Sequence, residues 1–195
     1  MSDEVKKGLE GVLVAESGLS YIDGDVGRLI YRGYAIDDLA RDASYEEVLY
    51  LLWHGELPTA DELDEFRAAM VSERSVDDAV LDTVRDLAAA DEDPMAALRT
   101  TVSQLSAYDP EGSGHDDGDH EAILRKGRRI TAKIPTILAA FSRIRDGAEP
   151  IEPREDLTHA ENFLYMLNGE EPDDVLAETF DMALVLHADH GLNAS

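Results

Sequence analysis

From Ile36 onward, apolar residues recur at three- and four-residue spacings, and most runs follow a helix-start code. Ser44 and Glu47 form a capping-box pair ahead of Val48, Leu49, Leu51 and Leu52, and Gly55 and Pro58 stop that run. Thr59 and Glu62 repeat the code before Leu63, Phe66 and Met70, which share one helical face. Ser75 is read as the start of a helix carrying Val80, Leu81, Val84 and Leu87. Asp93-Pro94 places proline at a first helical position, where its missing N–H costs nothing, ahead of Met95, Leu98, Val102 and Leu105. The longest helical stretch spans His120 to Asp146 and holds Ile123, Leu124, Ile130, Ile134, Ile137, Leu138, Phe141 and Ile144. Pro135 removes one backbone bond within it and should kink it. Gly147, Pro150 and Pro153 follow. Thr158 and Glu161 make a third capping box, opening a helix with Phe163, Leu164 and Leu167 that Asn168-Gly169 closes. The final helix is predicted from Asp173 to about His190. Its second half, with Phe180, Met182, Ala183, Leu184, Val185 and Leu186, is apolar nearly all round, the pattern of a buried helix.

The first 35 residues read differently. Gly11 to Ala15 and Gly18 to Tyr34 are rich in β-branched and aromatic residues punctuated by glycine, with Asp23-Gly24 as a hairpin signal. Two or three short strands are expected there, too few for a sheet with its own core, so residues 1–35 read as an extended arm packed on helices. The fold class is therefore all-α: seven or eight helices over residues 36–195, with a short β-like N-terminal arm. The 195 residues make one domain or part of a larger one.

Composition changes this picture mainly through charge. There are 43 acidic against 17 basic residues, a net charge of -26. Such a surface lacks the basic footprint of a nucleic-acid binder and is not suited to anionic membranes. Its cost falls in molar salt, where the screening length shrinks to about 3 Å, which points to a salt-adapted source. Seven basic residues cluster in one stretch: Arg125, Lys126, Arg128, Arg129, Lys133, Arg143 and Arg145. Internal pairing with acidic helices, an anion site and a subunit interface all account for that reversal. The chain has no cysteine, which excludes thiolate metal sites and cysteine nucleophiles. It opens without an apolar signal segment and has no apolar run long enough to span a membrane, so a cytoplasmic location is expected. His115, Asp116, Asp117, Asp119 and His120 superficially resemble a metal site. Their spacing does not fit a calcium loop, and the Tyr108–Asp119 stretch reads as a solvated acidic loop. No metal site is expected.

The densest chemistry is in Leu186-His187-Ala188-Asp189-His190-Gly191-Leu192-Asn193-Ala194-Ser195. On a continuous helix His187 and His190 share a face in the last turn, where the negative end of the helix dipole favours imidazolium. The spacing fits satisfied core histidines, a partial metal site or a catalytic pair. It says no more than an anion or carbonyl site at the end of a helix.

This segment nevertheless resembles a signature of citrate synthases. Further similarities fall in the same order upstream: Gly8-Leu9-Glu10-Gly11-Val12, Ile22-Asp23-Gly24, Tyr31-Arg32-Gly33-Tyr34, Tyr45-Glu46-Glu47-Val48 and Gly55-Glu56-Leu57-Pro58. Ala132-Lys133-Ile134-Pro135-Thr136 and Ala160 to Leu167 continue the series, so the resemblance covers essentially the whole chain. It implies a mostly helical enzyme with a large and a small domain that condenses acetyl-CoA with oxaloacetate to give citrate and CoA. A closely similar alternative is 2-methylcitrate synthase, which takes propionyl-CoA. A third reading, from another class, is a stand-alone acidic helical interaction domain.

By the resemblance, His190 holds oxaloacetate and His187 beside it is the weaker candidate. Many family members carry Glu after the second histidine, where this chain has Gly191. The family is roughly twice this length. Residues 1–195 are therefore expected to be the N-terminal part of the large helical domain, with the small domain, the catalytic aspartate, the mechanistic histidines and the substrate-clamping arginines beyond Ser195. No catalytic residue is assigned within the chain, and no cofactor is implied, since acetyl-CoA is a substrate. The resemblance also implies a homodimer built through the helices near 94–106 and 122–145.

Overall fold

A three-stranded antiparallel sheet leads into eight α-helices among the residues described in the computed structural model, which are 17–112, 119–189 and 191. The strands are β1 (Ser20–Asp23), β2 (Arg28–Tyr31) and β3 (Tyr34–Ala35), in the order β1-β2-β3. The first turn is tied by the Asp23 carboxylate, which accepts from the N–H groups of Asp25 and Val26 at 3.1 and 3.3 Å. The second is a two-residue turn in which Arg32 and Gly33 both have positive φ, 46° and 94°. That geometry matches the twist of the paired strands, but it is unusual for arginine. The Arg32 guanidinium donates to the Leu52 carbonyl at 2.9 and 3.3 Å, so the strained residue anchors the arm to the C-terminal end of a helix. The expected strand near Val12–Ala15 and the Gly8–Val12 similarity lie outside the described residues, as do His115, Asp116 and Asp117.

The helices are α1 (Ile36–Asp42), α2 (Tyr45–His54), α3 (Ala60–Ser72), α4 (Asp78–Ala89), α5 (Pro94–Leu105), α6 (His120–Arg145), α7 (His159–Asn168) and α8 (Asp174–Leu186). The three capping boxes form as read: the N–H groups of Ser44, Thr59 and Thr158 donate to Glu47, Glu62 and Glu161 at 2.7, 2.8 and 2.8 Å. Gly55 and Gly169 end α2 and α7 in the left-handed conformation. One start is displaced. Asp77, not Ser75, caps α4, because its carboxylate reaches the Ala79 N–H at 2.9 Å. Asp119 caps α6, its carboxylate accepting from the Ala122 N–H at 3.2 Å.

The central element is α6, which packs against α3, α4, α5 and α7 and remains helical on both sides of Pro135. Its Ile137, Ala140 and Phe141 meet Val80 and Val84 of α4 and Ala97 and Leu105 of α5 in one core cluster. A second cluster joins Tyr31 of β2, Leu39 of α1, Val48, Leu51 and Leu52 of α2, and Val185 of α8. The cationic stretch on α6 is used internally. The Arg129 side chain, 6% exposed, meets Asp109 and Glu111 at 3.0 Å each, Arg125 meets Glu111 at 2.8 Å, and Arg145 meets Asp91 at 2.6 Å. Lys133 donates to the carbonyls of Glu73 and Ser75 at 2.7 and 2.8 Å.

The last helix departs from expectation twice. It ends at Leu186, with His187 as its cap residue. Only Ala177 and Val185 are buried, while Val175, Leu176, Met182 and Leu186 stand exposed. Periodicity registers that α8 is apolar around its circumference; which sides meet other helices depends on what packs there, and the described residues cover one side.

Candidate functional site

Three helices seat α8. It packs on α1, α2 and α7, and Val185 is completely buried between them. Beyond Leu186 the backbone leaves the helix, with the His187 N–H bonded to the Leu184 carbonyl at 3.2 Å and the Ala188 N–H to the Val185 carbonyl at 3.3 Å. The His187 Nδ1 lies 2.7 Å from the Ala183 carbonyl. A carbonyl only accepts, so Nδ1 carries the proton and the imidazole offers its Nε2 edge. His187 itself is exposed. His190 lies outside the described residues. The helix ends at Leu186, so His187 stands at its cap rather than inside the last turn that the spacing implied.

Asp189, between the two histidines, is held by the N-terminal arm. The Tyr31 hydroxyl donates to the Asp189 carbonyl at 2.8 Å and accepts from the Asp189 N–H at 3.2 Å. Ser20 Oγ donates to the Asp189 carboxylate at 2.5 Å, and the Gly191 N–H donates to the same oxygen at 3.1 Å. Burial pushes the Tyr31 phenol above its ordinary value, which keeps it protonated as a donor. Tyr31 and Ser20 carry no sequence signal for this role. They lie 158 and 169 residues from Asp189, and only the fold brings them together.

A buried polar cluster behind α8, also silent in the sequence, fixes the helix pack. Glu46 of α2, 2% exposed, accepts from the first N–H of α7, that of His159, at 2.9 Å. Asp181 of α8 accepts from the first N–H of α2, that of Tyr45, at 3.0 Å. Each carboxylate therefore meets the positive end of a neighbouring helix dipole. Burial, then the nearby charge of Glu46, raises the Asp181 carboxyl to about 6. Burial, then the Arg74 guanidinium, lowers His159 to about 4. Arg74 is itself buried and donates to the Arg154 and Leu157 carbonyls at 2.5 and 2.9 Å. Among the described residues, no group of three or more His, Cys, Asp or Glu is placed to hold a metal ion. No helix there is long and apolar enough to cross a membrane.

The family profile described as "Citrate synthase, C-terminal domain" matches residues 8–195. The chain belongs to the citrate synthase family. It is 67% identical over 195 residues to the citrate synthase of Haloferax volcanii, covering 100% of this chain and 52% of that protein. It is 40% identical over 192 residues to a 2-methylcitrate synthase of Mycobacterium tuberculosis, covering 98% of this chain and 47% of that one. Among solved structures, the citrate synthase of Pyrobaculum aerophilum superposes with a TM-score of 0.86 at 40% identity, over 93% of this chain and 46% of that one. The chain thus spans about half the length of the relatives it matches. The all-α fold with its short β arm is that of the family.

Proposed function

We propose that this chain is the N-terminal part of the large helical domain of a citrate synthase, an acyltransferase that condenses acetyl-CoA with oxaloacetate and water to give citrate and CoA. The observation that carries the reading is the 67% identity to a citrate synthase over 195 residues. Its contribution to the reaction is an oxaloacetate site at the end of α8, with His190 as the principal ligand and His187 the lesser one. An exposed imidazole whose Nδ1–H is on the Ala183 carbonyl turns Nε2 outward, and with that nitrogen protonated as well it can donate to a ligand oxygen, which suits His187 to that part. The base that takes the acetyl proton belongs to the remaining half of the enzyme. A salt-adapted source fits both the net charge of -26 and the Haloferax relative. The proposed dimer uses α5 and α6, where Met95 and Ile123 are 69% and 53% exposed.

A thiol-release assay on the full-length protein tests this. CoA is expected from acetyl-CoA and oxaloacetate at a higher kcat/KM than from propionyl-CoA, and none is expected from the 195-residue chain alone. Preference for propionyl-CoA reassigns the enzyme as a 2-methylcitrate synthase. CoA release by the isolated chain overturns the division of catalytic groups.

A further inference from the structure

The bonds to Asp189 form a set with a direction. Ser20 and Tyr31 are directly paired across β1 and β2, so their side chains stand together on one face of the hairpin. Both reach Asp189, and the Tyr31 hydroxyl also lies 3.4 Å from the Leu186 carbonyl. Tyr31 holds Asp189 by its N–H and its carbonyl, and Ser20 holds it by its carboxylate. The carboxylate oxygen that Ser20 reaches also takes the Gly191 N–H, so Asp189 is tied to Gly191 as well as to the arm.

The clamp is rigid on its own side. Tyr31 is completely buried in the cluster with Leu39, Val48 and Leu51. The next residue, Arg32, is tied to the Leu52 carbonyl at the end of α2. The arm is therefore mounted on the same helix that receives Asp181 of α8 through the Tyr45 N–H. Both ends of the terminal segment refer to α2, one through α8 and the other through the hairpin. A staple serving only to hold down the arm has no need of three bonds from two strand residues converging on one loop residue. That convergence is the arrangement that gives a neighbouring ligand group a defined position.

We propose that Tyr31 and Ser20 are positioning residues for the oxaloacetate site, acting through Asp189 on the segment that carries His190. The inference rests on the assignment of His190 to oxaloacetate.

The test uses the full-length enzyme with Tyr31→Phe, Ser20→Ala and His190→Ala, singly and in pairs. Tyr31→Phe removes a hydroxyl that bonds the Asp189 backbone twice and the Leu186 carbonyl once, and the KM for oxaloacetate is expected to rise about 10-fold, the equivalent of one hydrogen bond. Ser20→Ala is expected to raise it about 3-fold by the same reasoning for a more solvated bond. The KM for the acyl-CoA should stay unchanged in both. In the His190→Ala background neither change should raise the oxaloacetate KM further, because the group being positioned is gone. A purely structural role gives the opposite: a lowered melting temperature, an unchanged oxaloacetate KM, or effects that multiply with His190→Ala. Either an unchanged KM or multiplying effects overturns the positioning role while leaving the His190 assignment standing. An unchanged oxaloacetate KM in His190→Ala overturns that assignment and this inference with it. Ser20→Ala, at a half-buried site, carries the test if Tyr31→Phe fails to fold.

Discussion

Replacing Asp181 by Asn should make the protein more stable at neutral pH and leave it little changed in acid. The Asp181 carboxyl accepts the Tyr45 N–H, and an Asn carbonyl can take the same bond, so the change removes charge while keeping the contact. Its folded pKa of about 6 lies above the ordinary 3.8. The sign follows directly. The native state prefers the protonated form, so stability from this group is fully present below pH 3.8 and is lost as pH rises through about 6. Two pKa units correspond to about 3 kcal/mol, which the partial exposure of Asp181 reduces to roughly 1–2 kcal/mol. His159 acts in the reverse sense. Its folded pKa of about 4 lies below 6.5, so its contribution is fully present above pH 6.5 and is lost as pH falls through about 4. The two oppose each other in the native protein between pH 4 and 6.5, and the substitution separates them. Urea unfolding in molar KCl at a series of pH values is the assay, because burial, the first cause of both shifts, is not screened by salt. Asp181→Asn should gain about 1–2 kcal/mol at pH 7–8, lose most of that gain by pH 4, and steepen the fall of stability towards acid. A gain independent of pH, or none at pH 8, refutes the reasoning.

Arg129→Ala should cost about 3–5 kcal/mol, read from the urea midpoint, because it strands the Asp109 carboxylate, 9% exposed, without its partner. Replacing both residues by apolar ones of similar volume should cost much less. The melting temperature should climb with KCl into the molar range, since screening relieves the self-repulsion of a chain carrying 43 acids and 17 bases; a salt-independent melting temperature contradicts a salt-adapted surface.

Local codes made the helices legible. Three capping boxes, Asp93 before Pro94, and Gly55 and Gly169 past helix ends act within four residues, and each does in the structure what its spacing implies. The failures share a cause. Asp77 outcompetes Ser75 as a cap by geometry alone, and α8 gives way at Leu186 beside a tyrosine hydroxyl from the arm that bonds the backbone just past it. The buried Glu46 sits in an unremarkable first turn, and only the approach of α7 gives it work to do. The cationic face of α6 announced itself as an anomaly. Its partners Asp109, Glu111 and Asp91 follow from packing, since acidic residues are too numerous in this chain for sequence to single them out. For the candidate site, the histidine segment was visible as chemistry. The residues that grip it were not.

The reach of that grip also orders the molecule in time. Tyr31 and Asp189 are 158 residues apart. At about 5–20 residues per second, the ribosome needs on the order of 10–30 s to deliver the second after the first. A small hairpin is marginal by itself, so until then the arm has no lasting anchor to the end of α8. Closing so long a loop comes late in folding, after the local helices have formed. The segment beside the histidines thus acquires its shape near the end of synthesis of this region, from residues made at the beginning.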